Sequence, residues 1–349
     1  MVIIKRVVAF LMLALSSSVM AQSVAINPDH PDRYTVIKGD TLWDISGKFL
    51  RDPWRWPQVW KNNPEIENPH LIYPGDTIYL TYRDGQPVFN IDRSADRESG
   101  VVRLSPQIHA EPMASVPVPT IPMELIRPFL SDSRVVSERE LSYAGYILAN
   151  QGGNLISGVD DIIYARELTY ADTKEYMILR PGKAYFHPDD PEREIGYQAI
   201  YVGKAQLLDA DDPSTLRVME SDREILSGDR LLPTLPEAAL GEIMPRAPDE
   251  LLEGYILGLL DGVAKIGQYQ VVILSLGEND GAQVGHILNV WQTGRMVVDR
   301  YGEKKAEKVM LPESVAGNAM IFQVFESASY ALIMDAYREM SVHDKVKTP

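Results

Sequence analysis

The stretch Tyr34–Ile45 reads YTVIKGDTLWDI, and part of it returns at Tyr73–Leu80 as YPGDTIYL. Both copies carry Gly-Asp-Thr. Gly-Asp is turn chemistry: glycine takes up backbone angles closed to other residues, and aspartate bonds back to its own main chain. The two copies continue differently. After Gly39-Asp40, Thr41-Leu42-Trp43-Asp44 has capping-box spacing, with Thr41 capping a helix and Asp44 reaching back. Leu42, Ile45 and Phe49 then recur at helical spacing and give that helix one apolar face, and Asp52-Pro53 ends it. After Gly75-Asp76, Thr77–Leu80 reads as a strand. Arg33–Val36 is a short β-prone run. A second short helix is predicted from Pro57, carrying Val59 and Trp60, to Asn62-Asn63-Pro64. A loop, Glu65–Ile72, leads to the second turn. The order is strand, helix, helix, strand.

Tyr34, Val36, Gly39-Asp40-Thr41-Leu42, Ile45, Trp60, Asn62, Leu71-Ile72, Pro74-Gly75-Asp76 and Ile78 together give the segment 33–81 its character. In these residues it resembles the LysM domain of peptidoglycan- and chitin-binding proteins, with RDPWRWPQ (51–58) as an insertion between the helices. The resemblance implies a βααβ fold and a glycan groove between two loops. Its glycan-facing positions would be Gly39, Asp40, Thr41 and Leu42, with Asn68, Pro69, His70, Leu71 and Ile72 opposite. Backbone groups of the two loops would pair with the acetamide of N-acetylglucosamine, and Leu42 or Ile72 would shelter its methyl. Asp40 and Thr41 would also shape the turn and cap the helix. Four of the five tryptophans (43, 54, 56 and 60) fall in this segment. An indole face suits sugar stacking, but a domain this small needs large side chains for its core. The three at 54–60 lie on the connection away from the groove, so core or lid packing is expected of them.

The 349 residues suffice for two or three domains and include no cysteine, which removes disulfides, thiolate nucleophiles and cysteine metal sites. Lys5 and Arg6, the apolar run Val7–Leu15 and Val19-Met20-Ala21 have the layout of a signal peptide (1–21) cut after Ala21. A periplasmic protein with no membrane span after cleavage is expected. The net charge of −15 becomes −17 without Lys5 and Arg6. Such acidity opposes nucleic-acid and anionic-lipid partners. Residues 34–80, with five basic and six acidic side chains, are close to neutral. The six histidines are scattered, and neither HExxH nor G-x-S-x-G occurs. No cofactor and no metal are expected, and the chain reads as a non-enzyme.

Residues 82–137 read as a linker with a short helix at ELIRPFLSDS (124–133). RESG (97–100), which brushes against the Glu-Ser pair of lytic transglycosylases, lies in a polar stretch and is read as chance. Beyond it the chain shows internal similarity. GYIL occurs at 145–148 and 254–257, GKAQL (203–207) pairs with GNAMI (317–321), and VMESDREILSGDRLL (218–232) pairs with IMDAYREMSVHDKVK (333–347). Gly182 is paired with Gly285. Two β-rich repeats are expected, 138–236 and 246–349, each a small barrel or sandwich of short strands separated by Gly, Asp and Pro. PDELLEGYIL (248–257) is expected to be helical, and Gly228-Asp229 and His343-Asp344 to be turns. GYQAIYVGKAQLL, SGDRLLP, DGAQVGHILNV and LPESVAGNAMIFQVFESASYALI resemble the region that accompanies a LysM domain in exported proteobacterial proteins. The fold class is therefore α+β: a small βααβ domain, an extended linker, then two mainly-β repeats. The expected function is non-catalytic binding of peptidoglycan glycan strands, with 138–349 engaging an envelope protein. The alternatives are a cell-wall hydrolase targeted by its LysM domain, or an assembly factor of an envelope machine.

Overall fold

The structure is a computed structural model and describes residues 24–61, 72–93, 118–131, 133–168, 174–234, 243–260, 265–301 and 307–349. The chain divides into two units, 1–118 and 119–349. The expected signal peptide, the loop residues Asn68–Leu71 and the RESG stretch lie outside the described residues.

In the first unit β1 (Tyr34–Thr35) leads to α1 (Leu42–Phe49), a 3-10 turn (Pro53–Arg55), α2 (Trp56–Lys61), β2 (Thr77–Arg83) and β3 (Gln86–Asp92). The Thr41 hydroxyl accepts the Asp44 N–H, and the Asp44 carboxylate accepts the Thr41 N–H, both at 3.1 Å. This reciprocal cap satisfies donors that a helix start leaves open. The helix buries Leu42, Trp43, Ile45 and Phe49. The second helix begins at Trp56 rather than Pro57, because the 3-10 turn started by Pro53 runs straight into it. Trp43, Trp54, Trp56 and Trp60 are all buried.

The sheet order is β1-β2-β3, and the third strand falls inside the stretch read as linker. Asp84 and Gly85 both have positive φ, 52° and 76°, which turns the chain back into a tight hairpin. The hairpin carries Phe89 into the core, where its ring packs edge-on to Phe49 (5.4 Å) and Trp60 (4.9 Å). Val118 joins the same core, and its N–H donates to the Ile72 carbonyl. Upstream, Ile26 bridges to Leu50. The unit thus extends past both ends of the segment 33–81.

In the second unit α3 (Met123–Ser131), β4 (Ser133–Val136) and α4 (Glu138–Tyr143) precede the first of two rings of strands. Its elements are β5 (Gly145–Asn150), β6 (Ile156–Ser157), β7 (Ile162–Arg166), β8 (Glu175–His187), β9 (Asp190–Asp209), β10 (Ser214–Ser221), β11 (Ile225–Leu226) and β12 (Arg230–Pro233). They pair in the order β5-β7-β10-β9-β8-β12 and back to β5, with β4 added to β9 and β6–β11 forming a separate pair. The second ring uses β13 (Glu253–Leu259), β14 (Val271–Leu274), β15 (Ile287–Gln292), β16 (Met296–Asp299), β17 (Glu307–Met310), β18 (Ser314–Val324), β19 (Ser329–Ala336) and β20 (Lys345–Lys347). It is a closed barrel, β13-β14-β19-β18-β15-β20, beside which β16 and β17 form their own hairpin. Counting ring strands along the chain, both rings have the order one-two-five-four-three-six.

The correspondence reaches single residues. Strand pairing slips at Ile147–Ala149 in β5 and at Ile256–Gly258 in β13, and again at Val218–Glu220 and Ala319–Asn318. Gly203 and Gly317 hold equivalent places: a Cβ there would lie 2.1 Å from the Glu220 carbonyl oxygen and 2.0 Å from that of Asp335. Only glycine allows two strands so close. Inside, Ile147, Ile163, Ile178 and Val218 of one ring match Ile256, Val272, Val290 and Ile333 of the other. Where the second core has the larger Leu274 for Ala165, it has the smaller Ala331 for Leu216. Such an exchange conserves filled volume.

Register also corrects two expectations. Ile178 faces Leu231 on β12, and Val290 faces Val346 on β20, which places Gly182 opposite Gly294, not Gly285. PDELLEGYIL is not a helix: Glu253 onward is β13, because Gly254 must pass Leu276 within a methyl's width and Ile256 must point inward. No helix among the described residues is long and apolar enough to cross a membrane.

The buried Asp229 carboxylate is held by both arms of the Arg180 guanidinium at 2.8 Å. Arg180→Ala leaves that charge without its partner and is expected to cost about 2–3 kcal/mol, since one side of the pair is open to solvent. Arg166→Ala, which breaks only the exposed pair with Asp212, should leave the unfolding midpoint in place. Urea melts of the two variants check this contrast.

Candidate functional site

The turn Ile37–Asp40 exposes Ile37, Lys38 and Gly39. Gly39 has φ +98°, and Asp40 donates its N–H to the Ile37 carbonyl at 3.3 Å. The Asp40 carboxylate closes the turn a second time by accepting the Ile37 N–H at 2.9 Å. It also accepts the Tyr34 hydroxyl at 2.9 Å, while the Lys48 ammonium sits over the Tyr34 ring at 4.6 Å. The turn is thereby pinned to β1 on one side and to α1 on the other.

The second Gly-Asp pair supports the first. Asp76 accepts the Tyr73 N–H at 3.0 Å, and Gly75 has φ +97°. From this turn Gly75 donates to the Val36 carbonyl, and Val36 donates to the Asp76 carbonyl, both at 2.8 Å. The echo therefore clamps the stem of the exposed turn and launches β2.

The described members of the expected glycan face do not all reach the surface. Leu42 and Ile72 are buried in the core, so neither side chain is available to shelter a ligand methyl. Their apolar spacing, which marks them as core, already carries this information. The Ile72 carbonyl is engaged by Val118, and the Thr41 hydroxyl by the helix cap. What the turn offers outward is the Gly39 backbone, beyond which a Cβ would meet nothing within 4 Å, and the side chains of Ile37 and Lys38. Ile37 is 59% exposed and is not among the positions that the resemblance names. Its signal is an apolar residue inside a turn, where burial cannot explain it. Asn68, Pro69, His70 and Leu71 belong to the loop outside the described residues.

The family model of the LysM domain matches residues 34–81. Residues 34–81 are a LysM domain. LysM domains bind glycans of the peptidoglycan or chitin type. The chain is also similar to a Bacillus subtilis (strain 168) protein described as uncharacterized protein YqbP, with 43% identity over 60 residues. That match takes in 14% of this chain and 27% of the relative's length. The LysM match ends at residue 81, before β3 and Phe89.

Among the described residues no group of three or more His, Asp or Glu side chains is placed to hold a metal ion. Burial, the hydrogen bond to Asp40 and the Asp40 and Asp44 charges push the Tyr34 phenol up to about 12. A raised phenol pKa favours the fold while the phenol keeps its proton. Its contribution is complete below the ordinary tyrosine value of 10.0 and is lost as pH rises through about 12. The 295 nm titration of the protein minus that of its Tyr34→Phe variant should show one phenol ionising near 12. Asp40→Asn should move that phenol down.

Proposed function

We propose that this chain is an exported protein that binds peptidoglycan glycan strands without cleaving them. In this reading the turn Ile37–Thr41 forms one lip of the groove and Asn68–Ile72 the other. The observation that carries it is the exposed, rigidly closed turn of a LysM domain, with the Gly39 backbone open and Ile37 beside it. The acetamide of N-acetylglucosamine would pair with backbone groups of the two lips, and its methyl would rest on Ile37 rather than on Leu42 or Ile72. A turn already fixed by three hydrogen bonds to one carboxylate-bearing residue loses little freedom on binding.

The apolar segment 1–21, with Ala21 before the cut, supports export to the periplasm. The near-neutral charge of residues 34–80 suits a domain that approaches an anionic wall while the rest of the chain is acidic. The barrels would engage a further envelope component. A single LysM domain offers a small contact, so a second copy on the same strand would raise the hold on the wall steeply.

Purified protein should sediment with isolated sacculi, and Ile37→Asp should weaken that binding about tenfold, or ~1.4 kcal/mol, with unchanged melting temperature. Leu42→Asp would instead unfold the domain, so its loss of binding would be uninformative. Wild-type protein that stays in the supernatant would end this reading.

A further inference from the structure

In the first ring, the β8–β9 hairpin continues beyond the barrel. Past Arg180 on β8 and before Tyr201 on β9 the two strands pair only with each other and with β4, forming an arm tipped by His187–Asp190. That arm lies on the second barrel. Tyr185 packs beside Gly258, where an added Cβ would come 3.5 Å from its ring. The Tyr255 hydroxyl donates to Asp189 at 2.5 Å, and the His187 ring meets Tyr255 edge-on at 5.4 Å. Arg193 stands 3.9 Å from Asp280.

The second barrel has an arm in the corresponding place. The β16–β17 hairpin rises between β15 and β18, as the first arm rises between the body of β8 and that of β9. Each arm leaves its barrel at a glycine pressed on the opposite strand. A Cβ on Gly182 would lie 3.2 Å from the Gln198 carbonyl oxygen, and one on Gly294 would lie 1.8 Å from that of Leu311. The second arm, however, is uncovered. By the same equivalence Val297 holds the place of Tyr185; it faces Val309, 41% exposed, across the hairpin, while Met296 and Met310, 58% and 57% exposed, lie on the other face.

A matching seat stands empty-faced on the first barrel. Tyr146, Leu148 and Ala149 of β5 occupy the places that Tyr255, Leu257 and Gly258 hold on β13, with the same slip in strand pairing. Leu257, beside the docked arm, is 4% exposed, whereas Leu148 is 47% exposed. Arm and seat are thus both open in the same chain.

We propose that the β16–β17 arm of one copy docks on the β5 face of the first barrel of a second copy. This repeats between molecules the contact that joins the two barrels within one. Arm and seat are different surfaces, so the association is head-to-tail and does not stop at two. It is independent of the glycan reading; if both hold, each added copy adds a LysM domain to the assembly.

Sedimentation of the purified protein at about 100 μM should show mass growing with concentration. Val297→Asp with Val309→Asp removes the docking face of the arm, and Leu148→Asp removes the seat; each variant alone should stay monomeric with an unchanged melting temperature. Mixed, the two variants should form a one-to-one complex and nothing larger, because only one working arm meets one working seat. The natural chain has no cysteine, so a Leu148→Cys, Val309→Cys double variant under mild oxidation should give a disulfide ladder, while either single cysteine stops at dimers. A wild-type monomer at that concentration, variants that still associate, arm binding only to some other partner, or a double-cysteine variant without a ladder would each overturn the proposal.

Discussion

One device recurs in this chain's turns: a side-chain oxygen that accepts the backbone N–H three residues before it. Asp40 and Asp76 close the two turns of the LysM domain in this way. Asp161, Asp229 and Asp344 do the same in the barrels at 2.8 Å each, and Gln270 substitutes its amide oxygen in the turn equivalent to that of Asp161. In all six, the residue just before the closing one has positive φ. Without the side-chain acceptor, each turn would leave a donor unsatisfied where a strand or helix has to begin.

The device explains why so much of the chain can be strand. Each closed turn fixes the direction in which the next apolar run leaves. In the LysM domain one such turn points into α1 and the other into β2, and hydrogen bonds between Val36 and the second turn lock them together. In the barrels, equivalent turns precede the second and the sixth ring strands. Three of the six place glycine at the positive-φ position; Asp160, Tyr269 and His343 occupy the others at a conformational cost of about 1 kcal/mol each. That cost is tolerated because the ring on either side leaves the turn no other geometry.

Much of this is legible in the residues. Gly-Asp-Thr with a capping box, helical spacing at Leu42, Ile45 and Phe49, and the short alternating runs after 138 are local signals, and local signals survive folding. The failures have a common cause. Asp84-Gly85 reads as part of a polar linker because the worth of that hairpin, Phe89 between Phe49 and Trp60, depends on residues up to forty positions upstream. PDELLEGYIL has helical spacing, but barrel closure decides its state. Similarity alone pairs Gly182 with the wrong glycine, because strand register fixes that match. On the glycan face, resemblance assigns Leu42 to a surface that its own periodicity contradicts, and it passes over Ile37.

Both rings close by joining their first strand to their last: β5 to β12, and β13 to β20. This wiring has a kinetic side. A barrel whose seam brings Glu253 to Lys347 cannot be completed from neighbouring segments alone, so it pays the loop entropy of nearly the whole domain before the seam rewards it. During synthesis the first ring can shut once Pro233 has emerged, while the second remains an open sheet with two raw edges until Lys347 is made. The earlier barrel, with its arm already extended, then gives the later one a surface on which to assemble.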